Sequence, residues 1–166
     1  TFEGGIRVPL IAWWPGTIPA GTETNEMTAM LDILPTFARL SGSRLPSGRK
    51  LDGVDITPTL LGTSGGVAPR FTFLYFRGLN LEAVRSGPWK LHLGSGELFH
   101  LGDDIGEKTN VASAHPEVVK RLWELALNEQ RDLGLTGVGP GCRPLGRVEH
   151  PQPMISPEGQ IRAEFR

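Results

Sequence analysis

Cysteine is almost missing from this sequence: Cys142 stands alone in 166 residues. A single cysteine closes no internal disulfide. It builds no zinc site without several other ligands, and His92, His100, His115 and His150 show no His-x-x-x-His spacing. The chain by itself is therefore not expected to hold a metal. No run of about 18 apolar residues occurs, so no membrane-spanning helix is expected. An excess of one charge is also lacking. The 17 Lys and Arg nearly match 18 Asp and Glu, and this balance points to neither nucleic acid nor an anionic membrane as a partner. The sequence starts at Thr1, with no initiator methionine and no signal-peptide pattern within it. Such a start suits a processed domain and a piece of a longer chain equally.

Punctuation is what the sequence has in quantity. The 22 glycines and 14 prolines separate short apolar segments, which predicts many short elements joined by turns. Val8–Trp14 is a continuous apolar run between Gly4-Gly5 and Pro15-Gly16. A run of that length predicts a buried strand of an α/β sheet, with Pro9 near its start. Asp32 is placed to cap a short helix over residues 33–40, with Pro35 in the first turn and Gly42 as its terminator. Leu34, Phe37 and Ala38 share one face of it. Residues 43–70 read as irregular apart from a helical turn at Thr57–Leu61. The glycine-rich stretch 62–66 is the candidate domain boundary.

From Phe71 the period becomes two. Phe71, Phe73 and Tyr75 alternate with Thr72 and Leu74. Leu81, Ala83 and Arg85 alternate with Glu82 and Val84. Trp89, Leu91 and Leu93 point one way; Lys90 and His92 point the other, onto a face that solvation would explain. Leu98–Leu101 adds a fourth strand. The pattern predicts an antiparallel meander with one face buried. Pro116 opens a helix of residues 116–132 that ends before Gly134 and should cover the sheet's apolar face. Residues 135–166 read as an extended tail, wrapping the domain or partly disordered.

Four segments, in order, resemble the type I sulfatases of the alkaline phosphatase superfamily. Thr1-Phe2-Glu3-Gly4-Gly5-Ile6-Arg7-Val8-Pro9 resembles the family's second signature, and Trp14-Pro15-Gly16 the end of the strand that follows it. Asp32-Ile33-Leu34-Pro35-Thr36 resembles the next helix, and Leu51-Asp52-Gly53-Val54-Asp55 the next motif. Glu82–Leu91, Glu97-Leu98-Phe99 and Gly106-Glu107-Lys108-Thr109-Asn110 resemble the small C-terminal sheet and the loop before the last helix. Tyr75–Gly78 and Gly139–Cys142 are most similar to the branch containing arylsulfatase A and galactosamine-6-sulfatase.

The resemblance implies an α/β fragment. Residues 1–66 would supply the last strand and helix of the large catalytic domain. Residues 67–166 would form a small α+β subdomain, an antiparallel sheet with one packing helix. It also implies a parent enzyme that hydrolyses sulfate esters of small molecules or glycans, using calcium and a formylglycine made in a Cys/Ser-x-Pro-x-Arg motif. An extracytoplasmic compartment (periplasmic, secreted or lysosomal) is implied as well.

That motif does not occur here: Cys142-Arg143-Pro144-Leu145 is followed by Gly146 where arginine is required. The nucleophile, the calcium ligands and a sulfate-binding lysine are expected upstream of Thr1, in a missing N-terminal catalytic region, so no catalytic or metal residue is assigned to this chain. The alternative is a non-catalytic structural or interaction module derived from a sulfatase. Glu3 and Arg7 either brace the signature near the active site or form a structural salt bridge. Arg77 and His92 either line the substrate pocket or carry no function. Trp13, Trp14 and Trp89 read as core, Asp103, Asp104 and Glu107 as a solvated turn, and Cys142 as inert or paired outside the chain.

Overall fold

A computed structural model describes residues 1–45, 50–63, 65, 68–135, 155, 156 and 158–161. The alternating region folds as an antiparallel meander: β1 (Thr72–Arg77), β2 (Asn80–Ser86), β3 (Trp89–His92) and β4 (Leu98–His100), in the spatial order β1-β2-β3-β4. Two tight turns join the first three strands, and each opens on a glycine, Gly78 or Gly87, at φ 59°. That region is open to glycine and strained for other residues.

Helix α4 (Pro116–Asp132) crosses one face of the sheet. Val118, Leu122 and Ala126 recur every four residues and pack on Leu81, Val84, Leu91 and Leu98. The strands place Ala83 opposite His92, Val84 opposite Leu91, and Lys90 between Arg85 and Phe99. Two expectations need correction here. Leu81 and Ala83 do not share a face. A β-bulge leaves Glu82 without a register partner between Leu81 and Ala83, and the extra residue turns Leu81 toward α4. Nor is only one face buried: Tyr75, Ala83, Lys90, His92 and Phe99 are all buried on the side away from α4. The chain's own N-terminal segment covers that side.

That segment holds a one-turn helix, α1 (Glu3–Ile6), followed by residues 8–14 without a strand. The predicted buried strand is therefore not formed. Val8, Ile11 and Trp13 are 83%, 90% and 85% exposed, and Trp14 is also exposed. A central strand draws its hydrogen bonds from neighbours on both sides, and among the described residues no strand pairs with this run. Trp13 and Trp14 are thus not core, whereas Trp89 packs against the core cluster.

Helix α2 (Ile33–Ser41) ends at Gly42, φ 71°, as the sequence predicts. Its start differs. Asp32 closes a 3-10 turn (Met30–Asp32), where its side chain accepts the Ala29 amide, and it makes no side-chain cap on α2. Leu34 and Phe37 lie on solvent, and the buried positions of α2 are Pro35, Thr36 and Ala38. A one-turn helix, α3 (Thr57–Leu60), matches the predicted turn. Near the C-terminus an antiparallel bridge joins Ile155 to Ile161. Cys142, His150 and most of the predicted tail lie outside the described residues.

Candidate functional site

Lys90 sits at the centre of β3 with no solvent exposure. Its ammonium donates to the Thr1 carbonyl at 2.7 Å and to Glu3 Oε1 at 3.0 Å, and it lies 3.0 Å from Glu107 Oε1. All three donors of the ammonium are thereby used. The same nitrogen stands 4.2 Å from the Tyr75 ring centre, a cation–π contact strengthened by desolvation.

Two buried carboxylates flank this lysine. Glu3 Oε1 also accepts the Tyr75 hydroxyl at 3.0 Å, while Arg85 and Arg7 lie 3.8 and 3.9 Å from Oε2. Glu107 approaches from the loop after β4. Its Oε1 is 2.7 Å from His92 Nε2, and its Oε2 accepts the Glu3 amide at 2.5 Å. Glu107 holds φ 51°, a left-handed conformation that costs a non-glycine residue about 1–3 kcal/mol. The bonds of its carboxylate hold it there.

Charges of alternating sign make this burial tolerable. Burial pushes the Glu107 carboxyl up, but the bonds from His92, the Glu3 amide and Lys90 outweigh it and leave the group below its usual range. Burial, and then the neighbouring Glu3 charge, push the Tyr75 phenol well above its usual value, so it stays a neutral donor. Phe2 seals the cluster by stacking on His92, ring centres 4.5 Å apart.

A second buried pair stands beside it. The Asp32 carboxylate, fully buried, binds the Arg70 guanidinium and accepts the amides of Ala29 and Val54, each at 2.8 Å. Arg70 also donates to the Asp52 carbonyl at 2.9 Å. Burial raises the Asp32 carboxyl, but the Arg70 and amide bonds lower it further, to a net value below the usual range. The predicted capping residue is instead a hub joining α2, the loop at 52–54 and the approach to β1.

Of the four residues singled out from sequence, the structure brings Glu3, Arg7 and His92 together through Lys90 and Glu107. It leaves Arg77 apart. Arg77 ends β1 with its side chain 82% exposed, paired with Glu82 at 2.5 Å. His92 is not on a solvated face and does not open to solvent; it is buried against Glu107. Lys90 likewise leaves the solvated face expected for it, and Glu107 leaves the solvated turn. Asp104 does behave as a turn residue, accepting the amides of Lys108 and Thr109.

Sequence reading missed Lys90, Glu107, Tyr75 and Arg85. Alternation set Lys90 and His92 opposite Trp89, Leu91 and Leu93; the strand register then puts them on the face of Tyr75, Ala83 and Arg85. What alternation lacked was the knowledge that Thr1–Arg7 would close over that face. Chemically the cluster is a clamp: Lys90 has no spare donor to offer a ligand, Glu107 is hydrogen-bonded at both oxygens, and Glu3 is hydrogen-bonded at Oε1 with Oε2 in longer ion pairs to Arg85 and Arg7. An open cleft lined by Arg7, Phe73, Tyr75 and Arg85 borders it. Among the described residues no three His, Cys, Asp or Glu side chains converge to hold a metal ion.

No family model matches the sequence. The chain is 40% identical over 131 residues to N-acetylgalactosamine-6-sulfatase of Rattus norvegicus, covering 76% of this chain and 24% of that protein. It is 43% identical over 123 residues to arylsulfatase A of Bos taurus, covering 69% of this chain and 24% of that protein. A crystal structure of Ps i-CgsB in complex with k-i-k-neocarrahexaose superposes with a TM-score of 0.59 at 25% identity, over 70% of this chain and 27% of that one. The chain thus spans about a quarter of the length of the curated relatives it matches. These similarities agree with the four-stranded meander closed by one helix, and the chain matches the C-terminal portion of the sulfatase family.

Proposed function

We propose that the full-length protein to which this chain belongs hydrolyses sulfate esters of a small molecule or glycan, and that this chain supplies the C-terminal wall of the enzyme rather than its reacting groups. The observation that carries the reading is the burial of Glu3. The signature resemblance singled out this carboxylate, and it is held by Lys90, Tyr75, Arg85 and Arg7. A side chain so fully bonded fixes its segment instead of reacting, which fits Glu3 and Arg7 as braces of a neighbouring site. In this reading residues 1–66 complete the large domain and residues 67–166 form the small one.

Calcium and formylglycine belong to the proposal for the whole enzyme. In this reading the cation's ligands come from the rest of the enzyme. Among the described residues, the exposed Arg77 and the cleft beside Arg7 and Arg85 are surfaces open to a sulfated ligand. Anions are drawn to such guanidinium groups by charge and paired donors.

The test is an aryl sulfate assay with added calcium on the full-length protein and on the 166-residue chain. Turnover by the first and none by the second is the expected result. Turnover by the isolated chain, abolished by a substitution within it, would sink the assignment of chemistry to the rest of the protein. An inactive full-length protein would favour a non-catalytic module.

A further inference from the structure

We propose that Lys90 and Glu107 are positioning residues of the enzyme: through Glu3 they fix the place of segment Thr1–Arg7, and so the small sheet sets the geometry of the neighbouring active site. The inference rests on the sulfatase reading above. It adds two residues that the signature does not contain, one in a strand and one in a loop more than eighty positions along the chain.

Connectivity is the first ground. Segment Thr1–Arg7 is held at its backbone as well as at its side chains. Lys90 takes the Thr1 carbonyl, and Glu107 takes the Glu3 amide. A side-chain contact alone lets a backbone slide. Two backbone bonds two residues apart, with Glu3 Oε1 on the same ammonium, fix the segment against the sheet.

Rigidity is the second. Lys90 is fully buried in the middle of β3, between β2 and β4, so its stem has little freedom. Glu107 holds its left-handed backbone with both carboxylate oxygens engaged. His92 supports Glu107 from one side while Phe2 covers His92 from the other. A site is placed with precision when the groups that orient it are themselves locked.

The third ground is cost. Nature could close this face with apolar side chains, and buried ion clusters are poor sources of stability compared with such packing. Their better-attested use is to specify one arrangement. Here the arrangement specified is the register of Thr1–Arg7 against the sheet.

The experiment uses the full-length enzyme. Lys90→Met/Glu107→Gln removes one charge of each sign and leaves Glu3 with Arg85 and Arg7. Tyr75→Phe is the milder companion: it removes one bond to Glu3 and keeps the ring beneath Lys90, and it serves if the double variant does not fold. Steady-state kinetics on an aryl sulfate are read beside amide hydrogen exchange. The expected result is a kcat/KM about tenfold to a hundredfold lower for the double variant, since displacements of about 1 Å carry penalties of that size. Most of the loss should fall on kcat. Exchange should rise at residues 3–7 and stay unchanged in β2 and α4. Tyr75→Phe should show the same pattern at smaller amplitude. A folded variant with wild-type kcat and KM overturns the inference, as does a loss of activity in Tyr75→Phe with exchange raised uniformly, because that reports general loosening and not displacement of residues 3–7. A wild-type protein without sulfatase activity overturns the sulfatase reading itself, and the two failures are told apart by the wild-type control.

Discussion

Lys90 Nζ and the carbonyl oxygen of Thr1, 89 residues apart in sequence, meet at 2.7 Å in the protein interior. This bond and its neighbours join the first turn of the chain to the middle of the sheet. They also make the cluster a coupled unit in which no member has a separable value.

Substitution of Lys90 alone is therefore predicted to be worse than a balanced pair. Lys90→Met leaves the Glu3 and Glu107 carboxylates buried with one cation fewer, at a cost of about 3–5 kcal/mol. Adding Glu107→Gln restores the balance. The double variant should be less destabilised than the sum of the singles by about 1–3 kcal/mol, the range of directly interacting residues. Urea unfolding of the four proteins in the cycle measures it; additive costs would show that the cluster is not coupled.

Arg70 is predicted to behave similarly toward Asp32. Removing the guanidinium leaves a carboxylate with no solvent exposure and only the Ala29 and Val54 amides to satisfy it. Arg70→Met should cost about 3–5 kcal/mol. Asp32→Asn sets an amide NH2 against N–H donors that a carboxylate oxygen accepts in the wild type and leaves Arg70 buried without its counter-charge, so it should cost a similar amount. Wild-type unfolding midpoints in both variants would contradict the assignment of Asp32 as the hub.

Acid should weaken the fold through the same carboxylates. Asp32 and Glu107 both titrate below their usual range when folded, so the unfolded chain takes up protons first. Their contribution is complete above the usual carboxylate range of about pH 4 and is lost as pH falls through the lower folded values. The urea midpoint should hold from pH 7 to pH 5 and then drop. Glu107→Gln should flatten that drop. An unchanged acid limb in this variant would mean that Glu107 does not contribute to it.

The small sheet and α4 were legible because their patterns are local. Period two over residues 71–101 marks the strands, and the spacing of Val118, Leu122 and Ala126 states which face of the helix is apolar. The buried face of Lys90 and His92 was not legible, because its cover comes from Thr1–Arg7, far away in sequence, and polar side chains give no sign of burial until their partners are known. The bulge at Glu82 was hidden for a related reason: one extra residue inverts the face of Leu81 without changing composition. Asp32 shows the opposite failure. A local rule made it a helix cap, and the long-range partner Arg70 claimed the carboxylate instead. Glu3 was found only through the family motif, and its burial then gave that motif a physical content.

The exposed run at residues 8–14 should drive self-association of the isolated chain. Ile11 at 90% and Trp13 at 85% exposure lie within one contiguous segment with Val8 and Leu10, and contiguous apolar surface of this kind associates. Light scattering of the 166-residue chain should report multimers. Ile11→Lys/Trp13→Lys should return it toward a monomer without lowering the unfolding midpoint, since neither side chain is buried. A monodisperse monomer of the unmodified chain would refute the prediction.

Gly53 is predicted to tolerate no side chain. It belongs to the Leu51–Asp55 motif, and its neighbour Val54 donates its amide to Asp32. A Cβ at residue 53 would overlap the Leu31 carbonyl oxygen and lie 2.7 Å from its carbonyl carbon, with the Pro35 ring at 3.1 Å. The nearest obstructing atoms are backbone in the 3-10 turn that leads into α2, so the loop has to move away from that turn. That movement would pull Val54 from Asp32 and the Asp52 carbonyl from Arg70. Gly53→Ala should therefore cost about 2–4 kcal/mol, above the usual penalty of about 1–3 kcal/mol for overpacking, because the displaced loop also gives up these bonds. Gly4→Ala is the control, since a Cβ there meets nothing within 4 Å. Equal unfolding midpoints for the two variants would show that the loop at 52–54 moves freely against α2, and that the Asp32 hub does not depend on its place.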